Sequence, residues 1–295
     1  MLTESNLHIL STRLLAACKQ GSLSTVRSIV PTLYPASSPP SLSALIPPLK
    51  IALATAARHG QADVLRYLLT SPQCSASHQP WSPSFKDPPG SLPEEWNMAA
   101  YSDLVVIRAI SSSSTSVVQA LLDAGMPVDY NMEKIGAPLV HAITLQSLEM
   151  VKFLLEKGAN VNGMLWIPCW SFLAHAATFP SIDILNELLS HEAKLPGSIA
   201  LRAAAQAGNI KMAEVLLEKG ADVNELDRWN MTDQPDDFIG TPLHGAVIDE
   251  QGEMVKFLLS RGARTDLRDG EGKTARDIAE IGDRAEMQKI LDEAK

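Results

Sequence analysis

His141 and His175 stand 34 residues apart, and Cys169 lies between them with Trp166 and Trp170 as neighbours. A thiol, two imidazoles and an aromatic wall are the parts of a nucleophile and base in a cleft. Residues 163–175 are therefore a candidate small-molecule or enzymatic pocket. The same segment lacks an orienting acid and a visible oxyanion hole, which such chemistry also needs. No P-loop, dinucleotide, nucleophile-elbow or HExxH pattern occurs elsewhere. His8, His78 and His191 have no partner evident in their spacing, and His59 stands before Gly60 at the end of a short helix. The three cysteines, Cys18, Cys74 and Cys169, are odd in number and lack CxxC or CxxH spacing, against a disulfide framework or zinc site. No metal and no cofactor is expected, and a reducing, cytoplasmic setting fits, with the nucleus open.

Two further residue classes point to binding rather than catalysis. Tryptophan combines a large apolar face with one donor and is enriched at binding hot spots. The five tryptophans, Trp81, Trp96, Trp166, Trp170 and Trp229, all fall in segments that read as irregular. Glu225, Asp227, Asp233, Asp236 and Asp237 share one segment with a single cation, Arg228. Asp233, Asp236 and Asp237 are candidates for steering a basic partner, against the plainer reading of a solvated face. Their spacing lacks the alternate-position ligands and closing glutamate of a calcium loop. With 34 acids against 25 bases and a net charge of −9, the chain lacks the basic footprint of a nucleic-acid binder. Pro47, Pro48 and Lys50 interrupt the most apolar N-terminal stretch, so no membrane span is expected. Leu15 to Cys18 looks like a lipoprotein cleavage box, but Glu4, Asn6 and Ser11 precede it where a basic, apolar leader would stand. A helix is expected there.

The elements that must position these residues repeat. MVKFLLEKGANVN at 150–162, MAEVLLEKGADVN at 212–224 and MVKFLLSRGARTD at 254–266 are nearly the same words. The first leucine of each Leu-Leu pair falls at Leu68, Leu121, Leu154, Leu188, Leu216 and Leu258, with Ile29 and Ile290 at the equivalent end positions. This makes eight units with a period of about 33. A shorter alanine-rich helix precedes each Leu-Leu helix, and small residues let two helix layers stack closely. Gly125, Gly158, Gly220 and Gly262 stop the second helix through the left-handed cap. Glu192 occupies that place in the fifth unit, where a less sharp end is expected.

Helix, turn, helix, glycine stop and extended arm at this period resemble the ankyrin repeat, and Gly240-Thr-Pro-Leu-His244 matches its signature words. The words decay to Ala137-Pro-Leu-Val140, Ser171-Phe-Leu-Ala174 and Ile199-Ala-Leu-Arg202, and are hard to see in the second and third units, so the first three repeats are degenerate. The resemblance implies an all-α solenoid of stacked helix-turn-helix units with extended finger loops, forming a single domain over 1–295. It implies a structural hydrogen bond between repeats for His244. It also implies a protein partner as the default, recognised through first-helix ends and fingers. Aligning the units puts Arg58, His59, Ser111, Ser112, Thr144, Leu145, Thr178, Phe179, Gln206, Ile248 and Asp249 at those ends, where exposure is expected. Two insertions break the period: a Pro-rich finger within 71–103 and an acidic finger within 225–239. The expected function is non-catalytic scaffolding or binding, with the enclosed finger pocket as the alternative.

Overall fold

A computed structural model describes residues 4–35, 49–71, 103–132, 135–163, 165, 170–228 and 238–293. The described residues pack into two compact units, 1–158 and 159–295. The N-terminal unit contains four helix pairs: α1 (Glu4–Gln20) with α2 (Leu23–Leu33), α3 (Leu49–Arg58) with α4 (Ala62–Thr70), α5 (Leu104–Ser111) with α6 (Thr115–Asp123), and α7 (Pro138–Thr144) with α8 (Leu148–Glu156). The C-terminal unit holds α9 (Phe172–Ala177) with α10 (Ile182–Ser190), and α11 (Ala200–Gln206) with α12 (Ile210–Glu218). After the hairpin of β1 (Asp227–Arg228) and β2 (Phe238–Gly240) come α13 (Pro242–Ile248) with α14 (Gly252–Ser260), and α15 (Ala275–Ile281) with α16 (Ala285–Glu293).

Within each unit the first helix of a pair packs on the first helix of the next pair: α1 on α3, α3 on α5 and α5 on α7, then α9 on α11, α11 on α13 and α13 on α15. Alanine permits this. Ala52, Ala56 and Ala57 of α3, Ala142 of α7 and Ala203 to Ala205 of α11 are fully buried, so the helix axes can approach without a side chain between them. The second helices supply bulk from one face. Leu65 and Leu68, Val117 and Leu121, Val151 and Leu154, and Met212 and Leu216 are all buried, at helical spacing. The second leucine of the pair is less constant: Leu155 is 5% exposed, whereas Leu217 is only half-buried. Cys18 is a fully buried helical thiol, pushed up to about 12 by desolvation and so inert at neutral pH.

Helix ends are set by the glycine stop. At Gly158 φ is +86°, and a Cβ there would meet nothing within 4 Å, so only backbone conformation favours glycine. Glu192 corrects the expected blunt end. It adopts φ +65°, and the amide of Ala193 bonds Leu188 O at 3.1 Å just as Ala263 bonds Leu258 O at 3.0 Å. The fifth helix pair ends as sharply as its neighbours, because the following contacts impose the turn on a residue ill suited to it. One such contact comes from the extended arm. Asn162 donates from Nδ2 to Glu192 O at 3.2 Å and accepts from Lys194 N at 2.9 Å. Asn224 repeats the pattern on Gly262 O and Arg264 N. Each asparagine thus staples its own arm to the turn of the next repeat.

Three links between helix pairs carry strand pairing among the described residues. Met132 bridges Gly136, Arg268 bridges Thr274, and β1 pairs antiparallel with β2. The link between α10 and α11 is the shortest from one helix pair to the next in the C-terminal unit, and the chain enters α11 through Ile199 at φ +54°. A β-branched residue is strained there; a short finger leaves no room for the extended entry that Ser171, Thr241 and Thr274 use.

Candidate functional site

The last turn of every first helix ends at the edge of its stack. In the N-terminal unit Lys19, Gln20, Arg58, His59, Ser111, Thr144 and Leu145 are exposed there, with Ser112 half-buried. Leu145 is 42% exposed, although Ile143 two residues earlier is fully buried. In the C-terminal unit Asp249 is exposed, but Thr178, Phe179, Gln206 and Ile248 are half-buried, against the expectation of open side chains. Contacts within a rung and between rungs account for part of this. The ring of His175 on the same rung meets Phe179 edge-on at 5.1 Å, and Gln206 Nε2 donates across to Asp249 Oδ2 on the next rung at 2.8 Å. Several hydroxyls are committed to backbone: Thr144 to Val140 O, Thr178 to His175 O and Ser112 to Ala109 O.

The two imidazoles of the catalytic reading each have a contact within their own unit. His141 Nε2 is 3.0 Å from Ser111 Oγ on the preceding rung, and His175 stacks against Phe179. Burial holds both below the ordinary histidine value, so both are neutral at pH 7. Cys169 lies outside the described residues, as do Trp81, Trp96, Trp166, Trp229, Asp233, Asp236 and Asp237. Trp170 is half-buried, and its carbonyl accepts from Leu165 N at 2.9 Å while Phe172 N bonds Gly163 O at 3.2 Å, which closes that finger as a hairpin. Among the described residues, no group of three or more His, Cys, Asp or Glu could hold a metal ion, and no helix is long and apolar enough to cross a membrane.

A buried polar chain runs through α11, the β hairpin and α13. His244 is fully buried, and its Nδ1 accepts from Thr241 N at 3.1 Å and from Thr241 Oγ1 at 2.8 Å. The proton therefore sits on Nε2, which donates to Lys273 O in the next repeat at 3.1 Å. Burial keeps the ring neutral. Arg202 occupies the equivalent place one repeat earlier and does the same work, its Nη1 donating to Thr241 O at 3.0 Å. Ser171 Oγ donates likewise to Ser198 O at 2.8 Å.

Substituting arginine for histidine brings a full charge into the stack, with Arg202 only 5% exposed. Asp227 stands in its field on β1, as a carboxyl that holds its proton at pH 7 and so does not cancel the charge. This corrects its reading as part of a solvated acidic finger: Asp227 is 3% exposed, and desolvation pushes its carboxyl up to about 8 against the opposing pull of Arg202. Its Oδ2 has no hydrogen-bond partner. Glu225 is also spent internally, accepting from Gly197 N at 2.7 Å. Sequence reasoning missed Arg202, Asp227, Asn162 and Asn224. For Arg202 a signal existed, since a charged residue stands where the repeat's words carry histidine.

Comparison with known proteins agrees with this architecture. The family model for the ankyrin repeat matches residues 137–164, and a model described as ankyrin repeats in many copies matches 201–259. An ankyrin repeat protein of Fowlpox virus is 27% identical over 177 residues, 58% of this chain and 89% of that protein. Ankyrin repeat and SOCS box protein 11 of Homo sapiens is 28% identical over 126 residues, 41% of this chain and 38% of that protein. Phosphocholine transferase AnkX of Legionella pneumophila is 32% identical over 129 residues, 41% of this chain but 14% of the transferase. The chain thus spans most of one relative and well under half of the other two.

Proposed function

The chain is an ankyrin-repeat protein, and we propose that it is a non-catalytic binding protein recognising another protein through its first-helix ends and fingers. Ankyrin repeats generally mediate protein–protein interaction. The observation that carries the reading is the row of first-helix ends. The helices are packed along most of their length, yet their last turns present Arg58, His59, Ser111, Thr144 and Leu145 to solvent, with chemistry that changes from rung to rung. A stack whose core repeats while its edge varies is suited to display rather than to catalysis. The tryptophans of the fingers add desolvated hold, and Asp233, Asp236 and Asp237 steer a basic partner to the C-terminal unit. The cytoplasm is the proposed setting.

The test compares affinity capture from native extract by the wild-type chain and by Leu145→Arg, whose altered side chain lies at the exposed edge. A protein retained by the wild type and lost by the variant, with unchanged circular dichroism, supports the reading. Retention of the same proteins by both overturns the role of the row.

A further inference from the structure

The two units differ in the charge of their first-helix ends. The last helical positions and the residue that follows them hold Lys19, Arg58 and His59 but no acid in the N-terminal unit. The equivalent positions of the C-terminal unit hold Asp249 and Glu280, with Glu250 and Asp283 one residue further on, and no base. In the N-terminal unit α1 bears its one acid, Glu4, in its first turn, far from Lys19 in its last, and α3, α5 and α7 bear none.

Lys19 and Arg58 are held close. The helices α1 and α3 pack together, and Gln61 Nε2 donates to Lys19 O at 3.2 Å, fixing the end of α1 against the turn after α3. Both charges reach His59, which burial and then Lys19 and Arg58 hold below its ordinary value. Neither cation has an acidic side chain as partner among the described residues; each stands in the last turn of its helix, where the dipole favours positive charge and leaves the head group open to an anion. Further along the same row come the exposed hydroxyls of Ser111 and Thr144, then exposed Leu145.

We infer that this row takes an acidic peptide segment in extended conformation, its carboxylates against Lys19 and Arg58 and an apolar side chain against Leu145. The inference rests on the protein-binding reading above. Spacing sharpens it. Leu145 lies two rungs beyond Arg58, and packed helices are about 8–10 Å apart, so about 16–20 Å separates Arg58 from Leu145, with Lys19 one rung further back. An extended chain rises about 3.3 Å per residue, which places the apolar side chain about five or six residues from the carboxylate on Arg58 and that carboxylate about three residues from the one on Lys19. Opposite charge gives the encounter its speed and its direction, and the leucine contact gives the complex its lifetime.

The experiment uses the full chain and fluorescein-labelled decapeptides, with fluorescence anisotropy read at low and physiological salt. One peptide carries two glutamates three positions apart at one end and a leucine six positions beyond the second, with Gly-Ser between. A second has lysines for the glutamates, and a third places the leucine beside the glutamates. The glutamate peptide should bind at least ten-fold more tightly than the lysine peptide and several-fold more tightly than the compact one, with the preference falling as salt rises. Lys19→Glu with Arg58→Glu should abolish the preference, and Leu145→Ala should weaken binding several-fold. In the complex the His59 imidazole should titrate at higher pH, read by NMR, because an anion relieves its cationic surroundings.

Equal binding of the lysine peptide, or full binding by the double charge variant, overturns the inference. So does equal binding of an oligonucleotide of the same charge. If the peptides fail while Leu145→Arg still loses a captured protein, the acidic-segment inference falls and the protein-binding reading stands. If the glutamate peptide binds as expected while Leu145→Arg changes no capture, the segment inference holds and the cellular reading is what fails.

Discussion

Replacing Glu192 by glycine should stabilise the protein, although it deletes a side chain. Glu192 sits at φ +65°, the conformation held at four equivalent stops by Gly125, Gly158, Gly220 and Gly262. An L-residue there costs about 1–2 kcal/mol, from the Cβ against its own following carbonyl. Glycine removes that cost but gains freedom in the unfolded chain, which returns about 0.4–1 kcal/mol. The net is a gain of about 0.5–1 kcal/mol. No native contact is lost, since the bond from Asn162 is to the backbone oxygen of Glu192, and its side chain is exposed. One confounder is the carboxylate itself, which stands near the negative end of the α10 dipole. Glu192→Gln removes the charge and keeps the strained backbone, so it isolates that contribution. Urea denaturation followed by circular dichroism should rank glycine above glutamine above wild type, with Gly158→Ala lowering stability by about 1 kcal/mol as the mirror experiment. If Glu192→Gly is no more stable than Glu192→Gln, the left-handed turn carries no strain and the account of the stop is wrong.

Core truncation should divide the leucine pairs: Leu154→Ala and Leu216→Ala, both at fully buried positions, should cost about 2–5 kcal/mol, and half-buried Leu217→Ala distinctly less, by equilibrium unfolding. Asn162→Ala removes both bonds to the next repeat and should cost about 1–3 kcal/mol, with hydrogen exchange rising first around Glu192 and Lys194. Asp227 titrates near 8 in the folded chain against 3.8 for the free side chain, so the native state holds the extra proton between those values. Its contribution to stability is fully present below about pH 4 and is lost as pH rises through about 8. Asp227→Asn should therefore flatten the fall of unfolding free energy across that window; parallel profiles for the two proteins would show that Asp227 is not desolvated as described.

The sequence by itself determined the repeat. Apolar residues at helical spacing, alanine in the first helix and glycine after the second are local signals, and each acts within a few residues of where it is written. Eight helix pairs follow from that pattern, including those of the second and third units, where the signature words have decayed but Leu53, Leu65, Leu68, Val106, Val117 and Leu121 still fall on buried faces. The row of first-helix ends was legible for the same reason, because position within the repeat fixes position on the stack.

Tertiary structure decided what depends on a neighbouring repeat. Glu192 turns left-handed because Asn162, 30 residues earlier, holds its carbonyl, and no local propensity encodes that. Phe179 and Gln206 belong to the predicted edge yet are half-buried: Phe179 meets the ring of His175, and Gln206 reaches across to Asp249 on the next rung. Asp227 reads in sequence as one more acid in an acidic finger. It is buried because the arginine at 202 reaches across to the entry of α13, and the hairpin that carries Asp227 closes over that charge. Burial and ionisation are set by the summed surroundings of a group, and those surroundings come from residues far apart in the chain.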